Sequence, residues 1–85
     1  MPEFVAEQYF PRADAAAASR AGNAARRAAE QLAREGAQIE LVRSIFIPDD
    51  ETCLFIYEAD SAETVRFAGE RGALAFERIA HGALP

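Results

Sequence analysis

The sequence has little with which to hold a nucleic acid, cross a membrane or build a metal centre. Nine arginines, with no lysine, face fourteen aspartates and glutamates, for a formal net charge of −5. A phosphate backbone is bound by a dense basic surface that releases counterions, so nucleic acid is excluded as a partner. No apolar run approaches the roughly 20 residues of a membrane span. Met1-Pro2-Glu3 leads straight into a strand pattern, without the basic and apolar segments of a secretory leader. The single cysteine, Cys53, leaves no internal disulfide and no paired-cysteine zinc site. The expectation is a cytoplasmic protein in a reducing compartment. Gly-rich phosphate loops, a nucleophile elbow and His-Glu-x-x-His are missing as well.

What is present suffices for one core. At 85 residues the chain is long enough for a single domain, residues 1–85, and too short for two. Its hydrophobic share of 51% and charged share of 27% are those of a folding globular chain.

From Glu3 to Phe10 the residues alternate. Phe4, Ala6, Gln8 and Phe10 take one side and Glu3, Val5, Glu7 and Tyr9 the other, as in a strand ended by Pro11. Asp14 caps a long helix running to Glu35. The apolar stripe of that helix is Ala18, Ala21, Ala25, Ala28 and Leu32, and Gly36 stops it. So many alanines favour the helix and let its axis lie close to a sheet. Gln38 to Ile47 and Thr52 to Ala59 read as a hairpin joined by Pro48-Asp49-Asp50-Glu51. Asp60 and Glu63 form a capping-box pattern for a helix over Ser61 to Arg71, closed near Gly72, and a last strand falls around Phe76 to His81. The order is βαββαβ: a ferredoxin-like α+β fold, with a four-stranded antiparallel sheet and two helices on one face.

A hairpin turn centred on Asp49 and Asp50 sets Ile47 opposite Thr52, Ile45 opposite Leu54 and Arg43 opposite Ile56. Alternation then puts Val42, Ser44, Phe46, Cys53, Phe55 and Tyr57 on one face, and Ile39, Leu41, Arg43, Ile45, Leu54, Ile56 and Glu58 on the other. Both are largely apolar. Helices cover only one, so a second copy of the chain is expected to cover the other, as in a dimeric α+β barrel.

On that second face Arg43 and Glu58 interrupt an apolar row at diagonal positions, and the β1 row of Val5, Glu7 and Tyr9 allows Glu7 to share the face. An arginine near two carboxylates can orient a polar ligand, or it can be an ion-pair network at a dimer interface. Tyr9 and Tyr57 are candidate phenolic donors or amphipathic core residues. His81, the lone histidine, is a weak candidate metal ligand or a surface residue. Cys53 reads as a packing thiol. The candidate ligand-binding residues are therefore Glu7, Arg43, Glu58, Tyr9 and His81, with no assigned catalytic residue.

Arg43 to Glu51, the strand ending Tyr57-Glu58-Ala59, Ser61 to Arg66, Glu77-Arg78-Ile79 and the opening Val5-Ala6-Glu7-Gln8 with Phe10-Pro11 together resemble the small bacterial family called domain of unknown function 4242. The resemblance spans nearly the whole chain. It implies a ferredoxin-like homodimer and, since the family includes an actinobacterial nickel-binding protein, nickel or another divalent metal as cofactor. Many relatives carry a histidine where this chain has Arg43, and no set of metal ligands is carried over. The function expected is a small-ligand-binding or metal-binding dimeric domain. The alternative is a small dimeric α+β-barrel enzyme of monooxygenase, isomerase or cyclase type.

Overall fold

The structure is a computed structural model describing residues 1–82. Its elements are β1 (Glu3–Tyr9), α1 (Ala15–Arg34), β2 (Ile39–Ile47), β3 (Thr52–Ala59), α2 (Ala62–Arg71) and β4 (Arg78–Gly82). A 3-10 turn, Pro48–Asp50, joins β2 to β3. The four strands form one antiparallel sheet in the order β2-β3-β1-β4, and both helices pack on the same side of it. The expected ferredoxin-like α+β fold is the fold observed. No helix of the described residues is long and apolar enough to cross a membrane.

Helix α1 forms where capping and alanine content dictate. The Asp14 carboxylate accepts a hydrogen bond from the Ala17 amide at 3.0 Å, and Gly36 takes a φ of 104° just past the last turn. Its buried side is Ala18, Ala21, Ala25, Ala28 and Ala29, with Leu32 partly covered. The sheet answers with larger groups, and Phe55, Tyr57 and Cys53 are almost wholly removed from water.

Two boundaries differ from expectation. The cap of α2 is Ser61, one residue after Asp60, and its hydroxyl accepts from the Thr64 amide at 3.2 Å. Asp60 instead accepts from the Thr64 hydroxyl at 2.6 Å. At the other end the helix closes at Gly72 as expected, with an ordinary φ of −84°, and Ala73 after it adopts the left-handed conformation at 57°. A Cβ on Gly72 would stand 3.3 Å from the Ala24 carbonyl oxygen of α1. Finally, β4 begins at Arg78. Phe76 precedes it and turns its ring against Phe55 and Tyr57, with centroids 5.2 and 6.2 Å away.

The hairpin register Ile47–Thr52, Ile45–Leu54 and Arg43–Ile56 is as expected, but it shifts between Leu41 and Arg43. Val42 is the extra residue of a β-bulge. Below it Leu41 pairs with Tyr57, Glu40 with Glu58 and Ile39 with Ala59. Ile39 and Leu41, assigned to the uncovered face by unbroken alternation, are therefore buried under the helices, and Val42 is 43% exposed. The reason is electrostatic. Without the bulge Glu40 would stand opposite the fully buried Ala59, and burying an unpaired carboxylate costs several kcal/mol.

Two stability measurements follow. Ala73→Gly relieves a left-handed alanine and is expected to raise unfolding stability by about 1 kcal/mol in urea titration. Deletion of Val42 removes the bulge yet leaves Ile39, Leu41 and Phe46 on the covered face and Glu40 outside it, so the cooperative thermal transition seen by circular dichroism is expected to persist. Insertion of one alanine after Ile45, the neighbour of Phe46, reverses the parity of the pairs beyond it and is expected to abolish that transition.

Candidate functional site

The sheet face turned away from the helices can be laid out row by row from the register. At one end Glu3, Glu58 and Glu40 stand opposite one another on β1, β3 and β2, beside Gly82 of β4. The next row is Ala80, Val5, Ile56 and Arg43, and the third is Arg78, Glu7, Leu54 and Ile45. Tyr9 pairs with Thr52, itself opposite Ile47, at the far end. An apolar centre of Val5, Ile56, Leu54 and Ile45 is thus bounded by carboxylates on one side and by single charges at both sheet edges. Tyr9 and Ile45 are 55% and 36% exposed.

Four of the five candidate residues, Glu7, Arg43, Glu58 and Tyr9, share this face. They do not meet as one cluster. Glu7 is taken by Arg78, whose guanidinium lies 3.5 Å from its carboxylate in an exposed pair. Arg43 stands beside Ile56 and forms no ion pair among the described residues. Glu58 is diagonal to Arg43 and lies between two other glutamates, an arrangement that like-charge repulsion penalises. Tyr9 donates its backbone amide to the Glu77 carboxylate. The fifth candidate, His81, is on the opposite side of the sheet, its ring 5.3 Å from that of Phe4, and contributes nothing to this face.

Glu3, Glu40 and Arg78 escaped the sequence reading. Glu3 is legible in the alternation of β1. Glu40 becomes legible once its charge is allowed to forbid the covered face, and that same consideration locates the bulge.

On the covered side the space between sheet and helices is filled by side chains. Tyr57 is fully buried and its hydroxyl has no hydrogen-bond partner among the described residues. Burial pushes both the Tyr57 phenol and the Cys53 thiol above their ordinary pKa values. Cys53 is accordingly a protonated packing group. The cavities are surface grooves. One of about 390 Å³ runs between α2 and β4 past Arg66, Gly69 and Phe76. Another of about 310 Å³ follows the β2 edge over Ala29, Ala33, Ile39 and Leu41, flanked by Arg26 and Glu30.

The residues present do not fit a nickel centre within one chain. Among the described residues no three histidine, cysteine, aspartate or glutamate side chains are placed to close on one ion. His81 lies on the face opposite Glu7 and Glu58.

No protein-family model and no curated protein sequence matches this chain. Among solved structures, it is similar to the crystal structure of SCO4226 from Streptomyces coelicolor A3(2), with a TM-score of 0.75 over 98% of each chain and 17% sequence identity. At that identity the likeness establishes a shared fold.

Tyr57 supplies a test of the filled interior. An unfolded tyrosine releases its proton near pH 10, while the folded chain retains it, so the unfolded state binds fewer protons above that pH. Stability is therefore expected to fall as pH rises above about 10, and Tyr57→Phe to flatten that decline. At neutral pH the same variant should be unchanged or more stable by up to about 2 kcal/mol, because an unpartnered hydroxyl is removed. Urea titrations at pH 7 and pH 10.5 check both.

Proposed function

We propose that this chain is a non-enzymatic small-ligand-binding domain of the kind the sequence resembles, domain of unknown function 4242, and that it works as a homodimer joined through the uncovered sheet face. One observation carries the reading. The face has an apolar centre of Val5, Leu54, Ile56 and Ile45, with a guanidinium, Arg43, that forms no ion pair among the described residues, in the same row as Val5 and Ile56. A contiguous apolar patch across several strands is what an interaction surface looks like and what a free monomer seldom keeps. A guanidinium there is suited to grip a carboxylate or other oxyanion through two parallel hydrogen bonds. The ligand class that fits is a small molecule with an apolar body and an anionic group.

The enzyme reading calls for a closed pocket between sheet and helices. Phe55, Tyr57 and Phe76 occupy that space, which favours the binding dimer.

Native mass spectrometry of the purified protein tests the proposal. The expected spectrum is a dimer carrying extra mass, and Arg43→Met is expected to lose that mass while its far-UV circular dichroism stays unchanged. A monomer would overturn the shared face. A dimer of bare subunit mass would leave association standing without a tightly held ligand.

A further inference from the structure

The register determines which backbone groups at the β4 border face outward. The Phe10 amide donates to the Glu51 carbonyl oxygen at 3.0 Å, and the Ala59 amide to that of Pro2 at 3.1 Å. Pairing of β1 with β3 is unbroken from Glu3 to Tyr9, so the even-numbered residues of β1 direct N–H and C=O towards β3. Glu3, Val5 and Glu7 therefore direct theirs towards β4, where they pair with Gly82, Ala80 and Arg78. Ile79 and His81 are left over. Their N–H and C=O groups turn away from the sheet and have no partner among the described residues. Nothing blunts this stretch: the register of Arg78–Gly82 runs without a bulge, and the segment holds no proline.

A groove of about 390 Å³ lies along this edge, between β4 and α2. Ile79, Leu74 and the Phe76 ring supply its apolar surface. The ring is wedged under Gly69, whose Cβ would stand 2.7 Å from it, so α2 carries a glycine at mid-helix, against helix propensity, where the ring needs the room. Arg66 and Glu70, one turn apart on α2, leave the far wall neutral in sum. Below the edge, on the open side, Arg78 is different. Its side chain is 72% exposed and lies 3.5 Å from the Glu7 carboxylate, while the Glu77 carboxylate is taken by the Tyr9 amide. The outer flank of Arg78 is thus the cationic position beside the unpaired backbone.

We propose that an extended segment of another protein adds to β4 as a fifth strand, antiparallel to it, with an apolar residue opposite Ile79 and a carboxylate on the next residue, opposite Arg78. Antiparallel pairing is the more stable kind, and the added strand stands about 4.8 Å outside β4. Its apolar residue exchanges both main-chain hydrogen bonds with Ile79, and its side chain enters the groove against Phe76. The following carboxylate meets Arg78 in a non-hydrogen-bonded pair, the closer kind, with Cα atoms about 4.5 Å apart. Glu7, Arg78 and that carboxylate then alternate in sign across three strands. In strand addition of this kind the main chain supplies affinity and the pocketed side chain supplies selectivity. The inference does not depend on the homodimer, which uses the broad side of the sheet.

Nuclear magnetic resonance of the full chain tests it with the peptide acetyl-Thr-Val-Thr-Ile-Glu-Thr-amide, which sets an isoleucine opposite Ile79 and a glutamate opposite Arg78. The expected result is saturable shifting of backbone resonances at Gly69 and from Phe76 to His81, with slowed hydrogen exchange of the Ile79 and His81 amides. N-methylation of the peptide's isoleucine, whose amide faces β4, is expected to abolish binding. N-methylation of its glutamate, whose amide faces away, is expected to preserve it. Replacing that glutamate with lysine is expected to weaken binding about tenfold, and Arg78→Glu to restore affinity for the lysine peptide. Shifts centred on Val5, Leu54 and Ile56, equal binding of the two N-methylated peptides, or no saturable change would overturn the fifth strand. So would Ile79 and His81 amides that are protected without peptide, and increasingly so as protein concentration rises, because a second copy would then hold the edge. A lysine peptide that binds the unaltered chain as tightly as the glutamate peptide would overturn the Arg78 contact.

Discussion

One carboxylate that must stay out of the core governs the shape of β2. The chain needs Ile39 and Leu41 under α1, where they close the core beside Ala59 and Tyr57. Further along the same strand it needs Phe46 on that side against Cys53, and Phe10 meets the Phe46 ring edge-on at 6.5 Å. Residues 39 and 41 are of one parity and residue 46 of the other, so no regular strand satisfies both. The bulge at Val42 reconciles them. It also decides what the other face looks like, because it turns Glu40 outward next to Glu58 and leaves Val42 and Arg43 together at the exposed edge. The glutamate row and the place of Arg43 thus follow from two requirements met together, an ionised Glu40 kept out of the core and Ile39, Leu41 and Phe46 kept on its side.

Much of the fold was legible because local signals agreed. The Asp14 cap, the alanine stripe and Gly36 fix α1, and the turn at Pro48 to Glu51 sets the upper hairpin register correctly. The lower half of β2 was misread because a period-two rule has no memory of an inserted residue, and one slip inverts every side chain beyond it. The short errors around α2 have a similar origin. Asp60, Ser61 and Thr64 offer competing caps within five residues, and which hydroxyl faces the amide is settled by how the preceding strand delivers the chain. Gly72 closes α2 where expected; its size serves the approach of α1, and the following alanine takes the unfavourable dihedral.

The candidate site was legible as a face and illegible as a set of contacts. Alternation set Arg43 with Glu58 and Glu7 with Tyr9, and the pairing of β1 with β3 puts the two pairs on one face. It said nothing about β4, whose pattern is weak, and β4 supplies Arg78 to neutralise Glu7 and carries His81 on the far side. Pairings between strands distant in sequence depend on strand order, which the order of elements suggests but individual residues do not.

Strand β4 is short, and above it the edge of β1 would be left with bare amides. Glu77 prevents this: its side chain accepts the Tyr9 amide, and its own amide donates to the Glu7 carbonyl oxygen at 2.8 Å. At the opposite border of the sheet the bulge breaks the run of β2, and Arg26 reaches within 3.5 Å of the Leu41 carbonyl oxygen. A foreign strand arriving beside the upper part of β1 or at the bulge of β2 finds the backbone groups there engaged or out of line, and sideways growth of the sheet is hindered at those two places.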